Sequence, residues 1–241
     1  MAATEKVICV VGPTATGKTK MGVALAQRFD GEVVSVDSMQ IYRGMAIGTA
    51  APTPEETEGV PHHMIGVADP SENWSAARFT EAADACVQDI LRRGKRPILV
   101  GGTGLYLDAL LRGTDFAAGS QDTPLRRQLQ ERMRREGAEA LLEELRRIDP
   151  DSAARLHLRD EKRILRALEV YQETGETITQ HDRRTREQPP RYEGLFIGLN
   201  FKDRQDLRDR IDRRVDGMVA QGLLDEVRSL LQSGLPRTAT A

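Results

Sequence analysis

Gly12-Pro13-Thr14-Ala15-Thr16-Gly17-Lys18-Thr19, near the amino terminus, decides how this chain is read. A short apolar run, Lys6-Val7-Ile8-Cys9-Val10-Val11, precedes it. Residues 21–29 follow, with Met21, Ala24, Leu25 and Phe29 at helical spacing. Strand, glycine-bounded loop and helix form the context that gives a G-x4-G-K-[ST] match chemical meaning. Gly12 and Gly17 let the backbone curl, so that the N–H groups across Thr14, Ala15 and Thr16 turn inward as an anion nest. The helix that begins there adds its positive end. Lys18 supplies a point charge for terminal phosphates, and the Thr19 hydroxyl is placed to ligate Mg2+. The pattern implies a ligand with two or more linked phosphates.

The chain has 241 residues, enough for one large domain or one domain with an insertion. Hydrophobic residues make up 39% and charged residues 30%, a globular balance on the polar side. No apolar run approaches a membrane span and no signal-peptide core is visible, so the expected compartment is the cytoplasm. Cys9 and Cys86 lack C-x-x-C spacing and read as reduced thiols. The formal net charge of −2 decides nothing about nucleic acid, but its distribution is uneven. Residues 1–90 are comparatively acidic, whereas arginines crowd the stretch from Arg126 to Arg214. That asymmetry suits either a polyanion laid across one region or a set of solvated helices with mixed charges.

Glu32-Val33-Val34-Ser35-Val36 reads as a second strand and runs into Asp37-Ser38-Met39-Gln40-Ile41-Tyr42-Arg43. Ligands of open α/β sheets bind outside the carboxyl ends of the strands, so Asp37 belongs where the phosphate loop opens. There it could accept a proton or hold Mg2+ through water, or simply cap a helix. Residues 48–62 read as a surface loop, and His62-His63 lacks a third metal ligand at suitable spacing. Residues 75–93 form an amphipathic helix with Ser75 as its cap and Phe79, Ala83, Cys86, Val87, Ile90 and Leu91 facing inward. Pro97-Ile98-Leu99-Val100 reads as a buried parallel strand. Gly101-Gly102-Thr103-Gly104 then brings Thr103 near the same cleft, and 105–111 is helical.

From about Asp115 the pattern changes to helices without strands. This predicts an all-helical subdomain inserted in a parallel α/β core: core over 1–114, insertion over 115–190, core again over 191–241. Lys162 and Arg166 share a helical face, which is a phosphate-reading surface or a wet one. Residues 175–191 read as a loop, and Gly194-Leu195-Phe196-Ile197-Gly198-Leu199 returns to the sheet. Two more helices follow over 206–218 and 223–231. Arg210 and Arg214, one turn apart, suit a pyrophosphate or pair with Asp206 and nearby acids.

Taken in order, the phosphate loop, the Asp37–Arg43 stretch, Val60-Pro61-His62-His63-Met64 and Gly101-Gly102-Thr103-Gly104-Leu105-Tyr106-Leu107 resemble the tRNA dimethylallyltransferase family. So do Arg163-Ile164-Leu165-Arg166-Ala167-Leu168-Glu169-Val170, the segment from Arg210-Ile211 to Arg214-Val215, and Gly222-Leu223-Leu224-Asp225-Glu226-Val227. The resemblance covers essentially the whole chain. It implies a P-loop kinase-like fold and transfer of a dimethylallyl group from its diphosphate to N6 of an adenosine beside the anticodon. The diphosphate would lie on Gly12, Thr14, Ala15, Thr16, Gly17, Lys18 and Thr19, helped by Mg2+ on Thr19 and by Arg210 and Arg214.

By the same resemblance Asp37 is the base, and Thr103 stands at the mouth of the reaction channel. Ser38, Met39 and Gln40 hold the adenine. Arg126 and the run Lys162, Arg163, Ile164, Leu165, Arg166 contact the anticodon stem-loop of tRNA. A monomer acting on tRNA and dimethylallyl diphosphate, away from membranes, is expected. The family's pattern continues several dozen residues past Gly234-Leu235-Pro236, so the chain is expected to be C-terminally short, with apolar helix faces exposed. Three other readings are an adenylate prenyltransferase of the cytokinin-forming kind, a small-molecule P-loop kinase, and a non-catalytic RNA-binding protein on the same core.

Overall fold

In the computed structural model, which describes residues 5–114, 116, 123–236 and 239, five strands form one parallel sheet. They are Glu5–Val11 (β1), Gly31–Val36 (β2), His62–His63 (β3), Arg96–Gly101 (β4) and Tyr192–Gly198 (β5), in the order β3-β2-β4-β1-β5. All six residues of β2 are buried, as is Pro97-Ile98-Leu99-Val100 of β4. Their apolar runs are continuous because helices cover both faces.

Four helices belong to this part of the chain: Lys18–Arg28 (α1), Pro54–Thr57 (α2), Ala76–Arg92 (α3) and Gly104–Arg112 (α4). On one face of the sheet Val10, Val33, Ile98 and Val100 pack with Ala26 of α1. On the other, Cys9, Val34, Val36 and Leu99 meet Phe79, Ala83, Val87 and Ile90 of α3 and Leu107 and Leu110 of α4. Burial pushes the Cys9 thiol up to about 12, so it behaves as a small apolar side chain. No helix among the described residues is long and apolar enough to cross a membrane.

Two readings of this region need correction. Of the four residues at helical spacing on α1, Met21 and Leu25 pack half-buried against the sheet core, but Ala24 is exposed and so is Phe29, under the Arg28 guanidinium; the fully buried residues are Gly22, Val23 and Ala26. Close approach to the sheet sets this face, because a Cβ on Gly22 would lie only 2.6 Å from Val100 Cγ2. The 48–62 loop also contains α2, nucleated by a capping box in which Thr53 and Glu56 exchange side-chain-to-backbone bonds.

The chain divides into two compact units, Met1–Gly113 with Pro190–Ala241, and Thr114–Pro189. The second is helical: Pro124–Ile148 (α5), Pro150–Ala153 (α6), Glu161–Thr174 (α7) and Ile178–Glu187 (α8). Its core joins Leu129, Leu141, Leu145, Ile164 and Leu168. α5 breaks at Gly137, where φ 84° and ψ 163° leave the helical region. Helix α8 replaces the loop expected over 175–191. Its polarity hid it, but Thr177 and Gln180 form a second capping box and His181 is buried on its inner face.

In the first unit the chain closes with Arg204–Ala220 (α9) and Leu223–Gln232 (α10), neither of which contains a buried residue. Val215, Val219, Leu224, Val227 and Leu231 stand exposed on them.

Candidate active site

Strand order builds the site. The loops that leave the carboxyl ends of β1, β4 and β2 are neighbours, and they carry Lys18, Thr103 and Asp37 respectively. Adjacent strands lie roughly 4.8 Å apart, so the phosphate loop and Asp37 are separated by about 10 Å with Thr103 between them. That leaves room for a reacting group bound from both sides.

The phosphate loop is made by backbone conformation. Gly12 has φ 149°, and a Cβ there would meet the Leu199 carbonyl oxygen at 2.3 Å. Ala15 at φ 65° and Gly17 at φ 88° are left-handed, and Gly17 caps α1. Successive amides are thereby turned to one side, as an anion nest requires. Thr16 Oγ1 donates to Pro13 O at 2.8 Å, while Thr14 is exposed at the loop tip.

Lys18 Nζ donates to Gly12 O at 2.9 Å and to Pro13 O at 2.8 Å, so the ammonium crosses the loop. Burial holds the Lys18 pKa below its usual range; the Arg214 charge lowers it further, and Asp37 opposes both. The Arg214 charge is thus felt at Lys18. Arg210 is exposed and lies 5.9 Å over the Phe201 ring.

Asp37 follows β2 in a tight turn. Its Oδ1 accepts the N–H of Met39 at 2.8 Å and of Gln40 at 3.3 Å. Among the described residues no donor reaches Oδ2. Ser38 N–H donates to Thr103 Oγ1 at 3.2 Å, and Thr103 N–H donates to Val36 O at 3.3 Å, which ties the two turns together. Met39 is half-buried against the sheet core. A cleft of about 290 Å3 opens between Gly12 and Pro13 on one side and Gly102, Thr103 and Leu107 on the other.

The Gln40 side chain is engaged by the protein itself. Its Nε2 donates to Thr49 O and Ala50 O, both at 3.2 Å, and its Oε1 accepts from Ser35 Oγ at 2.8 Å. Both amide hydrogens are committed, so the side chain is a brace. Sequence reading missed Ser35, although a serine inside a fully buried strand is a signal for a buried hydrogen bond.

The donor set around Thr19 suits Mg2+. Its hydroxyl is half-buried in the first turn of α1 and has no hydrogen-bond partner among the described residues. No group of three metal-ligating side chains occurs among the described residues. A hard cation would share Thr19 with phosphate oxygens and water, as Mg2+ does where no protein cage exists.

His63 is held by the buried Glu32 carboxylate, while His62 is held at Nδ1 only and its buried Nε2 has no partner among the described residues. His63 Nε2 lies 2.8 Å from Glu32 Oε2, and His62 Nδ1 lies 2.8 Å from Val60 O.

In the helical unit the expected RNA residues divide by burial. Ile164 and Leu165 are 0% and 6% exposed, so their side chains belong to the core and cannot reach a ligand. Lys162 and Arg163 are exposed. Arg126 and Arg166 both bind the buried carboxylate of Glu169, at 3.2 and 3.0 Å. A cavity of about 590 Å3 is lined by Arg155, Lys162, Arg163 and Arg166, with Asp182 and Ile178.

Two known families match this chain. The IPP transferase family matches residues 40–241, and the isopentenyl transferase family matches residues 5–68. A tRNA dimethylallyltransferase of Pelobacter propionicus is 50% identical over 96% of this chain and 74% of its own length. The crystal structure of a tRNA isopentenylpyrophosphate transferase from Bacillus halodurans is similar at a TM-score of 0.66. It is 44% identical and covers 98% of this chain and 73% of its own. A eukaryotic dimethylallyltransferase acting on tRNA aligns at a TM-score of 0.83 with 34% identity, over 98% of this chain and 58% of its own.

Proposed function

The chain belongs to the tRNA dimethylallyltransferase family, and from that premise we propose the reaction and its residues. A dimethylallyl group passes from dimethylallyl diphosphate to N6 of the adenosine beside the anticodon in tRNA. The observation that carries the assignment is the adjacency of the β1, β4 and β2 loops, which puts an anion-nest loop beside a carboxylate with Thr103 between and so supports a diphosphate bound next to a base.

The diphosphate lies on the amides of 12–17, with Lys18 and Arg214 over its charge. The apolar side of the cleft, at Leu107 and Val11, receives the five-carbon chain. An exocyclic adenine amine is a poor nucleophile, so its proton must leave as the C–N bond forms. N6 attacks the allylic C1, the C1–O bond breaks, and its electron pair departs with diphosphate. Asp37 Oδ2 takes the N6 proton. Lys18, Arg214 and the loop amides stabilise charge that grows on the leaving group in the transition state. Mg2+, when bound at Thr19, supplies further positive charge to the diphosphate. Ser38 and Met39 line the adenine's approach, and the base leaves the anticodon stack to reach them.

Lys162 and Arg163 hold the phosphate backbone of the anticodon stem-loop, with Arg126 and Arg166 set behind them by Glu169. The enzyme works as a cytoplasmic monomer. Competition between acceptors tests the reading. With dimethylallyl diphosphate, an anticodon stem-loop RNA should be prenylated at low salt and far more slowly at high salt. Preferential prenylation of adenylate would support the cytokinin-forming reading, and phosphoryl transfer from ATP would support a kinase.

A further inference from the structure

Gly222-Leu223-Leu224-Asp225-Glu226-Val227 opens α10, a helix to which no catalytic task has been given. Its one committed face carries Leu223, Glu226 and Leu230, spaced i, i+3 and i+7 and half-buried. Leu224, Asp225, Val227, Arg228 and Ser229 between them are exposed. That face rests on the stretch after the Asp37 turn. Glu226 Oε2 accepts the N–H of Ile47 at 2.8 Å, and Oε1 accepts the N–H of Gly48 at 2.8 Å.

Leu223 and Leu230 flank this pair. A Cβ on Gly44 would lie 3.9 Å from Leu230 Cδ2, and one on Gly48 would lie 3.4 Å from Leu223 Cδ1 and 3.2 Å from Glu226 Oε1. A carboxylate accepting two consecutive amides is a charge-assisted clamp with a defined direction.

The clamped 45–51 turn is internally bonded. Thr49 N–H donates to Met45 O at 3.1 Å, Ala50 N–H to Ile47 O at 3.0 Å, and Ala51 N–H to Ala46 O at 2.9 Å. Its outward carbonyls, on Thr49 and Ala50, are the two that receive the Gln40 amide. Gln40 in turn donates its backbone N–H to Asp37 Oδ1. One continuous path of hydrogen bonds therefore runs from Glu226 through the 45–51 turn and Gln40 to the carboxylate.

We propose that Glu226 is a positioning residue for the acceptor half of the reaction. It fixes the turn against which Gln40 is braced, and so sets where Asp37 stands. This deepens the reading of Asp37 as the base and rests on it. The donor half is independent, because the path does not pass through the phosphate loop. A base displaced by a fraction of an ångström loses proton-transfer efficiency while the diphosphate stays bound.

The test uses Glu226→Ala and Glu226→Gln in the whole chain. Glu226→Gln keeps the shape of the side chain and one good acceptor oxygen, so it separates the clamp from the fold. Hydrogen exchange needs no substrate. Exchange should quicken over 45–51 and over 37–40 in Glu226→Ala, less in Glu226→Gln, and stay unchanged over 12–19. With RNA saturating, kcat should fall about tenfold in Glu226→Ala, with KM for dimethylallyl diphosphate unaltered.

Quickened exchange confined to 45–51 and α10 would overturn the proposal and leave Glu226 a simple anchor. So would an unchanged kcat. If Glu226→Ala does not fold, the same readouts on Glu226→Gln decide. If the unaltered chain prenylates no RNA, the functional reading fails, and exchange over 37–40 still shows whether Glu226 governs the Asp37 turn.

Discussion

Strand β2 is flanked by two carboxylates with opposite fates. Glu32, at its amino end, is 2% exposed and is met by Arg93 through two bonds, by Lys95 at 3.3 Å and by His63 at 2.8 Å. The Arg93 bonds, with His63 and Lys95 behind them, hold its carboxyl down at about 2 although burial pushes the other way. Asp37, just past the carboxyl end, is half-buried and receives two backbone amides on a single oxygen. One carboxylate is saturated by cations and can do no chemistry. The other keeps an oxygen for a proton. In this sheet the carboxyl end is the place for function, and the amino end is the place for stability.

The sharpest way to break the contrast is Asp37→Asn. Transfer should fall by about two to four orders of magnitude in kcat, while the Kd for dimethylallyl diphosphate changes little, as measured by calorimetry. Glu32→Gln should do the reverse. It leaves Arg93 with only the exposed Asp89 and Lys95 with only the exposed Asp30 as counter-charges and should lower Tm by about 4–8 °C, with kcat at moderate temperature unchanged.

The same carboxylate predicts an acid limit. Its native pKa is about 2 against an ordinary value of 4.5, so its contribution is whole above about pH 4.5 and is lost as pH falls toward 2. Acid unfolding followed by circular dichroism should be shallower in Glu32→Gln across that window.

A smaller effect sharpens the donor side. Lys18→Ala should weaken dimethylallyl diphosphate binding about 10- to 100-fold; an unchanged Kd would remove Lys18 from the diphosphate site. Least of all, Lys162→Ala should weaken RNA binding a few-fold and flatten the slope of log affinity against log salt by roughly 0.7–0.9. A steep loss for one RNA sequence alone would instead mean that Lys162 reads a base.

What could be read from the residues was what is local. The phosphate loop lies between a strand and a helix, and Asp37 and Thr103 end strands, because each pattern is complete within a dozen residues. On α1 the spacing found Met21 and Leu25 but missed Gly22 and Ala26, because contact with Val100 selects small residues and periodicity alone counts large ones. Helix α8 was missed because its caps, and not its hydropathy, mark it. The bracing by Gln40 could not be read from the residues for another reason. Its partners Thr49, Ala50 and Ser35, and Glu226 behind them, are assembled only by folding. Ile164 and Leu165 sit within a basic motif, yet their side chains complete the helical core.

The most direct measurement is mass spectrometry of an anticodon stem-loop RNA after incubation with this protein, dimethylallyl diphosphate and Mg2+, beside the Asp37→Asn variant. The account predicts one five-carbon unit gained on the adenine beside the anticodon, and essentially none with Asp37→Asn. An equal gain with Asp37→Asn, or no gain with the unaltered chain, would contradict it.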